Sequence, residues 1–222
     1  MRKVDPKKYE EKRTKILNAA MDCFCRRGFR GASISDICAA AGISPGVLYY
    51  YFDSKEAIIQ AMTEVELKRS EQDIKNFSSD LQDADFIKGH LAGLTNYVKN
   101  HTLRETALEI EMMAEGARNP KVGKIVKDFD KTRQGMLEAV LLHGQKVGQV
   151  NKAHKPEFLA SLLCSVIEGL SIRSLKNPNF KTEDRILVLK LIIEKMIAIA
   201  VPAKNKTRAT NTVAPVCETD FS

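Results

Sequence analysis

Residues 33–56 read Ser-Ile-Ser-Asp-Ile-Cys-Ala-Ala-Ala-Gly-Ile-Ser-Pro-Gly-Val-Leu-Tyr-Tyr-Tyr-Phe-Asp-Ser-Lys-Glu. The stretch predicts two short helices joined by a tight turn. Ser33 with Asp36 three residues later forms a capping box at a helix start. Ile37, Ala40 and Ala41 give that helix an apolar face of small side chains, on which another helix can sit closely. Gly42 supplies the positive φ that ends it. Ser44 caps the next helix, and Pro45 stands in its first turn, where the missing N–H costs nothing. Leu48 and Phe52, four apart, turn toward the core. Gly46, Val47, Tyr49, Tyr50 and Tyr51 are left for the outer faces. Core packing is the alternative for each tyrosine, and for Tyr49 both readings stay open. A short helix with such an exposed face is the reading element of a helix-turn-helix.

The residues just before this stretch are basic. Residues 1–31 carry ten Lys or Arg against four Asp or Glu, a net +6 in a chain whose formal charge is +7. A solvated helix surface explains many such runs, but beside a reading helix the charge suits a phosphate backbone. With 222 residues, 44% of them hydrophobic and 28% charged, the chain is ordinary for one or two globular domains. Its N-terminus is charged and lacks the apolar segment of a secretory leader. The most apolar run, 186–201, is interrupted by Lys190, Glu194 and Lys195, so no membrane span is expected. Five cysteines, odd in number and irregularly spaced, read as reduced thiols of a cytoplasmic protein.

Outward from the motif the pattern is helical throughout, which predicts an all-α fold. A first helix covers about 5–27, with Ile16, Leu17, Ala20 and Phe24 on one face, and Gly28 to Gly31 ends it. After the helix pair, a fourth helix starts at Lys55 and runs toward Phe77, followed by a polar break over 78–83. Further helices are expected over 86–100, 103–118, 120–147 and 156–175, and from 182 to about 202 with Thr182 to Asp184 as its cap. Residues 203–222 are polar and aperiodic and are expected to form a disordered tail. The division that follows is a DNA-binding head over 1–54, a ligand-binding and dimerisation domain over 55–202, and the tail. In the last two helices apolar residues cover far more than the stripe of roughly 100° that one core contact needs. Each must bury a second face, either inside a monomeric core or in a two-fold four-helix bundle that Gly169 would let close tightly; the dimer is the expectation.

The motif resembles the TetR family of bacterial transcriptional regulators. The residues that carry the likeness are Ser33, Ile37, Ala41-Gly42-Ile43-Ser44, Leu48-Tyr49-Tyr50-Tyr51-Phe52 and Lys55-Glu56. It covers about the first quarter of the chain. Cys38 departs from the usual alanine, and Pro45 stands where a polar or basic residue is common, which removes one potential DNA contact. The resemblance implies that Ser33 and Lys55 bind phosphate at helix N-termini, that Tyr49 does so through its hydroxyl, and that Tyr50 and Tyr51 lie on backbone and thymine methyls. Ser44 and Pro45 open the reading helix, Gly46 permits close approach, Val47 can meet a methyl group, and Arg30 can reach phosphate or the minor groove. Without Arg, Asn or Gln in the reading helix, bidentate base readout is scarce, which leaves apolar contacts and DNA shape.

The same resemblance implies a small-molecule pocket in the second domain, whose occupation moves the paired heads apart. Tyr97, Met112, Met113, Arg133 and Met136 are the candidate pocket residues, ordinary core packing being the alternative for the methionines. Glu109, Glu111 and Glu115 read either as attraction for a cation or as a solvated acidic face. No metal-ligand spacing, nucleophile motif, phosphate loop or paired carboxylates are found, so neither a cofactor nor enzymatic activity is expected. The expected function is a dimeric repressor that binds double-stranded operator DNA and is released by a small-molecule effector. A ligand-independent structural or interaction protein on DNA, and an activator of the same fold, are the alternatives.

Overall fold

The computed structural model describes residues 5–78 and 86–197. The expected polar break over 78–83, the end of the last helix and the tail fall largely or wholly outside the described residues. Helix α1 (Pro6–Gly31) starts under an Asp5 cap whose carboxylate accepts from Lys7 N at 3.0 Å. It is kinked at Gly28, which takes φ 69°. Helix α2 (Ile34–Ala41) opens on the expected capping box: Ser33 N donates to Asp36 Oδ2 at 2.9 Å, and Asp36 N to Ser33 Oγ at 3.1 Å. Gly42, left-handed at φ 62°, ends it. Helix α3 (Pro45–Tyr51) follows its Ser44 cap.

Helix α4 (Lys55–Ser78) leads from this head into the body. There α5 (Phe86–Asn100), α6 (Leu103–Gly116) and α7 (Pro120–Lys146) pack with α8 (Pro156–Lys176) and α9 (Thr182–Ile192). α6 begins with a second capping box, Thr102 with Glu105, and α7 with Asn119 and Pro120. The cap of α9 is one residue earlier than expected: Lys181 N donates to Asp184 Oδ2 at 2.9 Å. α9 then widens into a single π turn, Ile193–Ile197.

Two cores hold the chain. The first is built by Ile16, Ala20, Phe24, Ile37, Leu48, Phe52, Ile58 and Ile59, and also takes Leu108 and Met112 from α6 and Val122 from α7. Head and body are therefore fused by shared packing, and the residues just past Lys55 belong to the head's core. Each fully buried Leu, Ile or Phe contributes about 1.5–3 kcal/mol by leaving water. The second core gathers Val98, Leu141, Val150, Leu159, Leu163, Ile167, Leu189 and Ile193. Helix α8, at mean hydropathy 1.5, is long and apolar enough to cross a bilayer by length and composition, a property the sequence reading had looked for in 186–201. In the fold one side of α8 lies against this second core, with Leu159, Ala160, Leu163 and Ile167 buried.

Candidate nucleic-acid interface and cavity

The exposed side of α3 carries Tyr49 and Tyr50, 51% and 62% exposed, with Ser44, Pro45 and Gly46 also open to solvent. A Cβ on Gly46 would meet nothing within 4 Å, so this end of the helix can approach a flat surface closely. Val47 is half-buried. Tyr51 departs from expectation: it is half-buried against the first core, its ring 4.7 Å from that of Tyr9 and 5.1 Å from that of Tyr50. On so short a helix a step of one residue turns the side chain by about 100°, and that step carries Tyr51 under α1. Ser33 is exposed, but its hydroxyl donates to Asp36 at 2.7 Å. That hydrogen bond, with a second from the Ser33 backbone and then the Arg27 charge, holds the Asp36 carboxyl below the ordinary carboxylate range.

Arg30 and Lys55 also differ from the free phosphate ligands expected. Lys55 Nζ donates to the carbonyls of Phe29 at 2.6 Å and Ala32 at 2.9 Å, and lies 4.5 Å from the Phe29 ring centroid. Two of its three N–H groups are thus committed to the turn that ends α1. Arg30 Nε pairs with the carboxylate of Glu115 at 3.1 Å. Glu115 is 2% exposed and also lies 3.6 Å from Arg118. Glu111 Oε1 accepts from Phe29 N at 2.6 Å. The acidic residues of α6 are therefore neither a solvated face nor a site for a cation: Glu111 and Glu115 hold the kinked end of α1, while Glu109 lies 3.6 Å from the buried His101. Nothing in the sequence pairs these residues with α1; only the packing of α6 on α1 does.

A cavity of about 100 Å3 opens in the body among α4, α5, α7, α8 and the π turn. Its lining is carbon almost throughout. Tyr97, Arg133 and Met136 border it as expected. Met112 and Met113 do not: Met112 is buried in the core between head and body, and Met113, a residue on, is 43% exposed. Both sit on α6, whose buried side, with Leu108 and Glu115, faces α1 and α7. Arg133 Nη2 pairs with Glu168 and, at 3.3 Å, with Asp130. Its Nε is buried and donates to no acceptor among the described residues. Burial pushes the Tyr97 hydroxyl far up, with the charges of Glu109 and Glu66 adding to it. Cys164, which also lines the cavity, is likewise held neutral by burial. Ser70, Asp73 and His90 complete the polar lining. These groups come from separate helices, so no spacing in the sequence announces them.

Residues 16–62 match the model of the bacterial regulatory proteins of the tetR family, and residues 95–198 that of the BetI-type transcriptional repressor C-terminal domain. The HTH-type transcriptional regulator UidR of Escherichia coli K12 is 32% identical over 158 residues, 71% of this chain and 79% of that protein. The chain belongs to the TetR family. Among solved structures, SmeT in complex with triclosan has a TM-score of 0.73 at 20% identity, over 94% of this chain and 100% of that one. GusR of Salmonella enterica has a TM-score of 0.61 at 27% identity, over 83% and 96%. This TetR-family chain is accordingly a DNA-binding transcriptional regulator with an N-terminal helix-turn-helix and a C-terminal helical domain. The family is one of transcription regulators, which are normally not enzymes.

Proposed function

We propose that the chain is a cytoplasmic repressor, dimeric through α8 and α9, that leaves a pseudo-palindromic operator when a small molecule fills the cavity. The observation that carries the reading is the apolar surface left on those two helices. Phe158, Leu187 and Leu191 are 58%, 67% and 54% exposed, and a Cβ on Gly169 would meet nothing within 4 Å. Such a surface suits a self-complementary two-fold contact. Two reading helices would then face one side of a duplex, about 34–36 Å apart or a multiple of that.

In this reading the head spans 1–54 and the body 55–202. Tyr49, Tyr50, Ser44, Pro45, Gly46 and Val47 meet the major groove and its backbone. Ser33, Arg30 and the remaining N–H of Lys55 lie toward phosphate, and Tyr51 sets the angle of the reading helix from its seat on Tyr9. The relative KstR2 of Rhodococcus jostii, 46% identical over 48 residues (22% of this chain and 24% of that one), is described as a repressor. Proteins of the same fold hold triclosan and choline, which supports a body able to take a small molecule. The test is footprinting on the DNA flanking the chain's own gene, with transcription measured in parallel. Two protected half-sites at the stated spacing and reduced transcription are expected. One protected half-site, or raised transcription, would overturn the dimeric or the repressing part.

A further inference from the structure

We propose that the cavity takes a neutral, largely apolar molecule that presents one accepting oxygen, such as a ketone, ester or amide carbonyl, to Nε of Arg133. The inference rests on the cavity being the effector site. The body of the ligand follows from the walls: Leu94, Leu137, Leu163, Ile167 and Ile193 offer it only carbon. Its polar group follows from Arg133. That side chain is 15% exposed, its Nη2 is held by Glu168 and Asp130, and its Nε–H has no acceptor among the described residues. A buried donor left without a partner is costly. A ligand oxygen arriving beside it removes that cost, whereas a hydrocarbon leaves it in place.

The charge of the ligand follows from the same corner. The one positive charge of Arg133 already faces two carboxylates, Glu168 and Asp130. A ligand carboxylate would bring a third negative charge into a cavity with little water to screen it. A ligand cation would meet the guanidinium itself. Asp73 borders the cavity from α4, but it is only half-buried, so water already serves it. Tyr97 and Cys164 are both neutral there and offer no charge to an ion. The volume of about 100 Å3 lies below that of the engineered cavity of about 150 Å3 that binds benzene. A six-membered ring with one oxygen is therefore near the largest body the closed part of the cavity holds.

The test uses four probes on the full chain: cyclohexanone, methylenecyclohexane, cyclohexanecarboxylate and cyclohexylammonium. Binding is read by calorimetry, and release of operator DNA by fluorescence anisotropy. Methylenecyclohexane has the shape of the ketone but no accepting oxygen. Cyclohexanone is expected to bind about tenfold tighter than its isostere, as for one hydrogen bond to a charged donor, with both ions weaker. In Arg133→Met the tenfold preference should vanish while the affinity for methylenecyclohexane holds. If that variant does not fold because Glu168 loses its partner, Arg133→Met with Glu168→Gln reads the same loss. Equal binding of ketone and isostere, tightest binding by either ion, or a preference that survives the loss of Arg133 would overturn the proposal. So would binding of none of the four by a chain that still holds its operator. A ketone that binds with the expected preference yet leaves operator affinity unchanged upholds the ligand chemistry and removes the effector reading instead.

Discussion

Replacing Glu111 with Ala takes away the acceptor of Phe29 N, a contact of 2.6 Å between body and head. A hydrogen bond to a charged acceptor contributes about 1.5–3 kcal/mol. This one is half-buried, so the lower part of that range applies, about 1.5–2 kcal/mol. For a chain of this size that lowers Tm by about 3–8 °C. Glu111→Gln keeps a carbonyl oxygen in the same place and should lose about half as much. Gly28 supplies an internal control, because it adopts φ 69° and a Cβ there would stand 3.0 Å from Glu111 Oε1. Gly28→Ala therefore adds a steric contact to the backbone strain of that conformation, which only glycine tolerates well. Once Glu111 is Ala the steric part disappears. The double variant should be about 0.5 kcal/mol or more better than the sum of the singles. Urea unfolding followed by circular dichroism, at one fixed protein concentration since association would link to stability, measures all four corners. A Glu111→Ala change within about 0.5 kcal/mol of wild type, or strict additivity with Gly28→Ala, would refute the reasoning.

Three further perturbations separate roles that the sequence leaves together. Tyr50→Ala, at an exposed ring, should weaken operator binding by roughly five- to tenfold with stability unchanged within about 0.5 kcal/mol. Tyr51→Ala should cost about 2 kcal/mol of stability, because it empties the seat against Tyr9; thermal melts beside DNA titrations distinguish the two, and matching losses of stability would contradict the placement. Leu187→Glu puts a charge on the exposed apolar face of α9 and should sediment as a monomer; an unchanged mass would move the interface elsewhere. Glu66 has a buried carboxylate oxygen without a hydrogen-bond partner among the described residues. Burial raises its pKa against the opposing pull of Arg69. The folded chain therefore holds a proton that the unfolded chain releases. Stability falls as pH rises from the ordinary glutamate pKa of about 4.3 through the raised value, and stays lowered above it. Glu66→Gln should flatten that part of the Tm–pH curve, and parallel curves for the two proteins would dispose of the account.

What could be read in the sequence was local. Ser33 with Asp36, Gly42, Ser44 with Pro45, and Asn119 with Pro120 act within one turn of themselves, and the helices they start or stop lie where the pattern put them. The wide apolar coverage of α8 and α9 also survived, since it depends only on periodicity. The misreadings share one cause: a partner far away in the chain. Lys55 finds its acceptors on Phe29 and Ala32, Arg30 finds Glu115, and Tyr51 finds Tyr9. A lysine at a helix start looks the same whether it faces phosphate or the end of another helix. Met112 and Met113 were placed in the right domain on the wrong face, because α6 packs against α1 and α7 rather than around the cavity.

The position of α6 has a mechanical consequence. In its first turns Glu105 accepts from Arg69 at 3.0 Å and Glu109 lies beside His101. Arg69 stands 5.8 Å over the ring of Tyr97, which borders the cavity and stacks on His101 at 5.3 Å. In its last turns Glu111 and Glu115 hold the end of α1. One helix of 14 residues thus touches the cavity's polar corner and the base of the head. A helix so short moves as a rigid rod. A shift of about 1 Å along its axis stretches the 2.6 Å bond to Phe29 beyond hydrogen-bonding range. Contact alone does not establish energetic coupling, but a cycle does. If α6 carries the signal, Tyr97→Phe and Glu111→Ala should be non-additive in operator affinity measured with a bound effector, and additive without it. By linkage the same free energy must appear in effector affinity measured with and without DNA. Additivity under both conditions would leave α6 as scaffold and send the signal through α4, the other helix shared by the cavity and the head.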